Sequence, residues 1–464
     1  MRILFVYTDI NTMGFGSRSY HFGIGILSAM LKRHNHQTSL YCMQGSYKIG
    51  PLIRKITRFK PDLLAFTSDS TQFIYIKKIL KGIKHLKIFS ILGGAHVSLR
   101  PQCLSETDGL NAICKGEGEY ALLELVDALE NKKDFHHILS LDFKDDNSSI
   151  VKNPTRPFIT DLDSLPFSDR DIFDYQKVVD SEFGRASFML SRGCPYSCTY
   201  CASPAMGRLQ EGRYVRFMSV ERAIAELVYL KEKYRFKSIF FADDTFTISK
   251  NYVYEFCEEY KKKIDIPFEL NARVESAGFD LFKALREAGC FKVHMGIESG
   301  DEKFRKDVLN RKMSNEQIVN AFDCAKKAGL LVKSYNIVGF PFETEQICRA
   351  TVDLNQRILP DGHVCYIFQP YPGTELYEIC KKEGFVDKNL FQKEVMSRRD
   401  TVLKMPFFTR QQIIKCHRNF SFEVYKKHSL RRALFYRLYY SRYGELLIRI
   451  FSPFKNYLRS FAIR

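Results

Sequence analysis

An alternation of short apolar runs with amphipathic stretches, repeated twice along the chain, limits the fold more than any other feature. In the first 150 residues "RILFVYT", "TSLYCMQ", "LLAFTS", "IFSILGG" and "AICKG" are five such runs separated by helical segments, as in a doubly wound parallel sheet. From Ser187 to about Pro372 the alternation returns as a helix-glycine-strand unit, the pattern of a parallel α/β barrel. Ser219 can cap the helix "SVERAIAELVYLKEKY", where Val220, Ala223, Ile224, Leu227 and Val228 recur at helical spacing. The strand "SIFFADD" follows. Phe279 to Glu287 reads as a second helix, closed by Gly289 before "KVHMGIES", and Ser314 with Gln317 makes an S-x-x-Q capping box on a third, which ends at Gly329 before "VKSYNIVGF". A chain of 464 residues exceeds one ordinary core, so two domains are the default. The expected class is α/β: a Rossmann-like doubly wound domain over 1–150, a linker over 151–182, a partial (β/α)6 barrel over 183–385 and a basic helical region over 386–464.

With 45% hydrophobic and 27% charged residues the composition is globular. The start "MRILFVYTDI" lacks the longer apolar region and small-residue cleavage site of a secretory signal. No uninterrupted apolar segment approaches the membrane-spanning length of about 20 residues. A cytoplasmic location is therefore expected, where thiols stay reduced and the 13 cysteines form no disulfide framework. Cys42, Cys114, Cys257, Cys290, Cys324 and Cys348 lie singly in strand-like or helical patterns and read as small buried hydrophobes.

Cys194, Cys198 and Cys201 differ, gathered within eight residues of "SRGCPYSCTYCASPAMGR". The C-x3-C-x2-C spacing, with a glycine before it and a proline and two tyrosines inside it, describes a loop curled round a metal centre. Thiolates favour zinc and iron–sulfur clusters, and three of them can hold three corners of a cubane with the fourth iron open. Structural zinc would want a fourth Cys or His nearby, and none stands between Gly184 and Gly212.

As it stands, Cys194-Pro195-Tyr196-Ser197-Cys198-Thr199-Tyr200-Cys201 resembles the signature C-x3-C-x-aromatic-C of the radical S-adenosylmethionine (SAM) superfamily, with Tyr200 as the aromatic. The resemblance implies a TIM-type radical SAM barrel and a [4Fe–4S] cluster whose open iron is chelated by S-adenosyl-L-methionine, then cleaved to a 5′-deoxyadenosyl radical. It also implies a reductant such as flavodoxin or ferredoxin. Chemistry in such barrels sits at the carboxyl ends of the strands. Asp243 and Asp244 end "SIFFADD", where the family binds the amino group of methionine; capping of the next helix is the other reading of either acid. Asn271 and Arg273 in "ELNARVE" occupy a later strand end. Glu298 in "GIESG" resembles the family's ribose contact, and Gly339 and Pro341 in "NIVGFPFET" match the segment that approaches adenine.

Joined to that barrel, the first domain resembles the cobalamin-binding domain of cobalamin-dependent radical SAM enzymes. The carrying residues are Gly93-Gly94-Ala95-His96-Val97-Ser98 with Pro101, then Gly116-Glu117-Gly118-Glu119, and the connector "LDSLPFSDRDIF". Polar and glycine-rich strand ends, Asp9 to Gly16 and Thr67 to Thr71 among them, would let a large planar ligand approach backbone. The resemblance makes Ser70, Gly93, Gly94, His96, Gly116 and Glu117 cobalamin contacts. The D-x-H-x-x-G motif that supplies an axial histidine is absent, so cobalamin is expected without histidine ligation, His96 serving as a hydrogen-bonding wall.

Lys426 to Arg464 holds ten Lys or Arg against one acid, Glu445, and interleaves them with Tyr, Phe and Leu. This tail suits an interfacial helix on anionic lipid, a helix packed on the barrel, or RNA. Three function classes follow. The favoured one is an enzyme with both cofactors, methylating an unreactive carbon of a small-molecule or lipid substrate, or cyclising or rearranging it. An RNA methylthiotransferase would keep cluster cysteines in its first domain, and Cys42, Cys103 and Cys114 are poorly spaced for that, so a nucleic-acid partner is not expected. A non-catalytic corrinoid or electron-transfer protein fits the three-cysteine loop and intact barrel less well.

Overall fold

The computed structural model describes residues 1–10, 20–145, 147, 149–387, 390 and 398–439. Its first sheet contains β1 (Arg2–Ile10), β2 (Gln37–Gly45), β3 (Leu63–Thr67), β4 (Phe89–Gly93), β5 (Ala112–Cys114), β6 (Leu141–Lys144) and β7 (Ile150–Val151), ordered β2-β1-β3-β4-β5-β6-β7. The five apolar runs of the sequence are β1 to β5, and every pairing among them is parallel. The sequence reading does not anticipate β6 and β7, which extend the edge antiparallel; four and two residues long, they carry too short a pattern to read. Helices cover both faces of the sheet, and the period-two alternation of β1 sorts its side chains accordingly. Ile3 and Phe5 pack with helices Phe22–Arg33 and Glu119–Glu130, whereas Leu4 and Val6 pack with Ile49–Phe59 and Phe73–Ile83.

Beyond the connector come β8 (Arg185–Phe188), the short antiparallel pair β9 (Ser191–Arg192) and β10 (Arg216–Phe217), then β11 (Ser238–Phe241), β12 (Phe268–Ala272), β13 (Cys290–Glu298), β14 (Leu331–Val338) and β15 (Gly362–Ile367). β8 and β11 to β15 form one parallel sheet in sequence order, the expected six-unit partial barrel. The helix starts are where the sequence puts them: Ser219 accepts from Arg222 N at the start of Val220–Lys233, and Ser314 with Gln317 forms the capping box of Asn315–Lys327. Helix Arg410–Tyr425 packs on β15, where Ser421 and the Tyr425 hydroxyl bond His363. The next helix, Leu430–Tyr439, continues the packing through Ala433 and the Arg432 guanidinium, 4.0 Å above the Tyr425 ring, while Leu430 and Leu434 are exposed. The rest of the basic tail lies outside the described residues, as do residues 11–19 of the first polar strand end. No helix among the described residues is long and apolar enough to cross a membrane.

The two sheets share a core. One apolar cluster runs from Ile3 and Phe5 through Leu162, Leu165 and Phe173 of the connector to Phe188 and the barrel strands. Inside it lies a buried ion pair: Arg170 of the connector donates to Glu226 Oε1 at 2.7 Å, their side chains only 3% and 4% exposed. The guanidinium is ringed by Tyr20, Tyr175 and Phe188 at 5.2 to 5.5 Å. Glu226 also accepts from Ser168 N and from Arg222. A charge so placed is tolerable only while paired. Glu226→Ala should cost about 3–5 kcal/mol, the penalty for stranding a buried cation, with Glu226→Gln costing less because it still accepts. Urea unfolding of the intact chain measures both; equal midpoints for wild type and alanine variant would contradict the assignment.

Candidate active site between the two sheets

The cysteine loop hangs between β9 and the short helix Ser203–Gly207. Gly193 turns into it at φ +85°, where a side chain's Cβ would stand 2.6 Å from Tyr214 O, so the entry needs glycine. The segment after helix Glu302–Asp307 pins the loop from the far side. Thr199 donates to Val308 O (2.6 Å) and Leu309 O (3.3 Å), and the Asn310 amide donates to Ser197 O (3.0 Å). Among the described residues, the set of His, Cys, Asp and Glu whose ligand atoms all lie within 4.8 Å is His36, Asp127 and Glu130. The loop's three sulfurs are spread more widely, which suits three corners of a cluster rather than the ligands of one ion.

Charge around the sulfurs also fits thiolate ligands. Burial pushes the Cys201 thiol up to about 12, but two guanidiniums face Cys198, Arg273 Nη1 at 3.4 Å and Arg311 Nη1 at 3.7 Å. Both are placed to offset negative charge on a sulfur ligand. Arg273 is held by Glu275 and lies 3.8 Å from the Tyr196 ring centroid. Arg311 reaches the Tyr200 hydroxyl at 3.4 Å and Gly296 O at 2.5 Å, and its Nε is buried with no hydrogen-bond partner among the described residues.

The expected strand-end residues gather round this loop in several roles. Asp244 is exposed, with Cys194 and Cys201 in its field. Asp243 caps no helix; the N-cap of the turn that follows is Thr245. Its carboxylate is buried and accepts from Leu190 N, Ser191 N and Ser191 Oγ, so β11 braces the strand leading into the cysteine loop. Burial raises this acid to about 6 against those donors. Asn271 donates to Asp243 O (3.0 Å) and accepts from Tyr335 (3.4 Å). Glu298 adopts φ +68° at the bulge ending β13; burial raises its pKa, with Arg311 and Tyr200 opposing. Gly339 and buried Pro341 lie in a turn closed by Glu343, whose buried carboxyl accepts from Gly339 N and Phe340 N. Burial raises Glu343 to about 8. Tyr200 packs edge-on against Phe340 of that turn, 5.6 Å between centroids.

On the other side, the carboxyl ends of β1, β3, β4 and β5, the connector and the β8–β9 segment enclose a largely apolar cavity of about 340 Å³. Phe5, Ala65 and Ile91 form its floor, and Gly93, Gly94, Gly116 and Gly118 bring backbone to its wall. Such a cavity accepts the planar end of a large cofactor, and the glycine walls agree with the cobalamin expectation. Two expected contacts lie outside the wall. Helix Ala95–Leu99 turns His96 back onto Phe73 (4.0 Å, stacked), where it bonds Ser70 at 3.0 Å. The histidine that does line the cavity is His21, whose Nδ1 accepts from Ile24 N as a helix cap. Glu117 lines the wall too, but its carboxylate is spent on an interdomain clamp. Arg192 donates to it at 2.7 Å and Arg216 at 2.8 and 2.9 Å, while Arg192 also reaches Glu119 at 2.6 Å. Arg192 is two residues from Cys194.

Sequence reasoning missed Arg192, Arg216, Arg311 and Glu343. Each acts through a partner 4 to 113 positions away. Only Glu343, four residues past Gly339 in a glycine-proline turn, carried a local signal.

Comparison with known proteins agrees with this geometry. The B12 binding domain family model matches residues 10–126 and the radical SAM superfamily model matches residues 188–354. The chain is 30% identical over 440 residues to "Uncharacterized methyltransferase PH0819" of Pyrococcus horikoshii, covering 94% of this chain and 93% of that one. It is 25% identical over 393 residues to the anaerobic magnesium-protoporphyrin IX monomethyl ester cyclase of Rubrivivax gelatinosus, covering 82% and 70%. The solved radical SAM methyltransferase TsrM from Kitasatospora setae, with cobalamin and a [4Fe-4S] cluster bound, shares the fold at TM-score 0.66 and 16% identity, over 83% of this chain and 78% of that one. Two family models in this order, with a relative matched almost end to end, carry the conclusion that the chain belongs to the cobalamin-binding radical SAM family.

Proposed function

We propose that this protein is a cobalamin-dependent radical SAM methyltransferase acting on an unreactive carbon of a small-molecule or lipid substrate. The observation that carries the reading is the meeting of two sites: the wall of the glycine-lined cavity and the cysteine loop are joined through Arg192. Cys194, Cys198 and Cys201 would hold the [4Fe–4S] cluster, and Gly93, Gly94 and Gly116 would border cobalamin. When bound, the cluster supplies the electron that cleaves SAM to a 5′-deoxyadenosyl radical, and cobalamin supplies a methyl group. The chain's own residues bind and orient. Arg273 and Arg311 would offset thiolate charge; Asp244, Asn271, Glu298 and the Gly339–Pro341 turn would contact SAM; Asp243 keeps the loop's approach fixed. Within this reading 1–150 is the cobalamin domain, 151–182 the link, 183–385 the barrel and 386–464 the helical region. A flavodoxin or ferredoxin would supply electrons, and exposed Leu430 and Leu434 among the basic residues support a peripheral contact with anionic lipid.

Anaerobically reconstituted protein should show the visible absorbance of one cluster and cleave SAM reductively. Changing Cys194, Cys198 and Cys201 together to alanine should abolish both, and a triple variant retaining them would sink the assignment. The Co(II) form of bound cobalamin should give a paramagnetic resonance spectrum without histidine nitrogen splitting, because His21 is held as a helix cap. Splitting that vanishes in His21→Gln would refute this. Methyl transfer consumes two SAM molecules per turnover, so S-adenosylhomocysteine and 5′-deoxyadenosine should accumulate equally, with S-methyl label in the product. 5′-Deoxyadenosine without matching S-adenosylhomocysteine would instead identify a cyclase or rearrangement enzyme, the activity in the name of the Rubrivivax relative.

A further inference from the structure

We infer that Arg398 anchors an anionic group, a carboxylate or a phosphate, on the substrate. The inference rests on the reading above that substrate lies where the carboxyl ends of the two sheets meet.

The burial of β15 alternates. His363, Cys365 and Ile367 are buried on the side covered by helix Arg410–Tyr425, which leaves Val364 and Tyr366 on the lumen face. Tyr366 stands at the carboxyl end of the strand, in register with Ile337 of β14, and lies close enough to Tyr335 to act on its hydroxyl. The Arg398 guanidinium sits 5.0 Å from the centroid of that Tyr366 ring. It also faces the hydroxyl of Tyr371, and Asp69, from the loop after β3, acts on the same hydroxyl. Arg398 thus stands at the barrel mouth, on the side toward the first sheet.

Its backbone is fastened there. Ile367 N donates to Arg398 O at 2.9 Å, and the Gln369 amide donates to Asp400 O at 2.8 Å. The two nearest acids have other duties. Asp400 is forked by Arg410 at 2.9 and 2.5 Å, and Asp69 accepts from Thr71 N, Thr71 Oγ1 and Gln72 N at 2.6 to 3.0 Å. No carboxylate pairs with Arg398 among the described residues. Arg398 is exposed, whereas the more deeply buried Arg170, Arg192 and Arg273 are each neutralised by a glutamate. A planar guanidinium, supported on a ring and with no carboxylate partner among the described residues, matches the two-oxygen edge of a carboxylate or phosphate.

The test uses reconstituted holoenzyme with SAM and no reductant, so that nothing turns over. Phenylacetate, phenyl phosphate and neutral phenylacetamide are titrated calorimetrically, the two anions separating carboxylate from phosphate recognition. Wild type should bind one anion about tenfold or more above the amide, the worth of a charge-assisted contact. Arg398→Gln should erase that preference and Arg398→Lys keep part of it, with cluster absorbance reporting that each variant is folded. Equal affinity of wild type for anions and amide, or a preference surviving in Arg398→Gln, would overturn the inference. So would a loss confined to SAM affinity, which would hand the arginine to the cofactor's carboxylate. Failure of wild type to cleave SAM would refute the proposed activity while leaving this binding preference intact, so the two can fail separately.

Discussion

The clamp of Glu117 with Arg192 and Arg216 is the contact on which the arrangement of the site depends. It joins the glycine loop after β5 to the β9–β10 ribbon that feeds the cysteine loop. Three charges with side chains 4% to 20% exposed would each be unfavourable alone. Together they are bidentate and mutually satisfied, and Ile159 N adds a fourth donor from the connector. The geometry leaves little slack: a planar carboxylate between two planar guanidiniums fixes distance and orientation together. Cys194 therefore takes its position partly from the first sheet, and a chain lacking that sheet would hold its cluster loop by one side only.

The cysteine loop is braced from below by different physics. Asp243 is a buried acid whose burial works against ionisation, and donors from Leu190 and Ser191 offset that only in part. A carboxylate that accepts backbone N–H groups is a stronger strut than a strand pair, since it grips two consecutive residues at one point. Beneath it, Asn271 connects Asp243 O to Tyr335, Tyr335 to His294 at 2.6 Å, and His294 to Glu269 at 3.0 Å. Glu269 is held below the usual carboxylate range despite burial, because His294, Lys292 and Arg185 surround it. A hydrogen-bonded column thus runs up the lumen from the base of the sheet to the strut.

What the sequence made legible was local. Ser219, the Ser314–Gln317 box and the glycines after helices announced the barrel's repeats because caps act over three or four residues. The cysteine spacing announced its chemistry for the same reason. Glu117 and Asp243 were picked out as functional, yet their carboxylates' partners lie 42 to 99 residues away, so these bonds could not be read. The glycine loop places His96 near the cavity without saying which way its ring turns; its stacking on Phe73 is a tertiary contact the local sequence does not carry. Arg311 carried no local signal, being separated from Cys198 by 113 positions.

Buried cations of the interior are compensated in more than one way: Arg170 has Glu226 and Arg192 has Glu117 and Glu119, whereas the fully buried Arg305 is held by the carbonyls of Ser299 and Met313 and by the Asn315 side chain. Arg311 keeps a buried Nε with no partner among the described residues beside the thiols, whereas Arg398, at the mouth, is exposed. Burial makes an uncompensated charge costly, so a fold retains one chiefly where a ligand completes the pairing. The incompletely paired Arg311 is then a mark of where negative charge belongs, at the sulfurs of the cysteine loop.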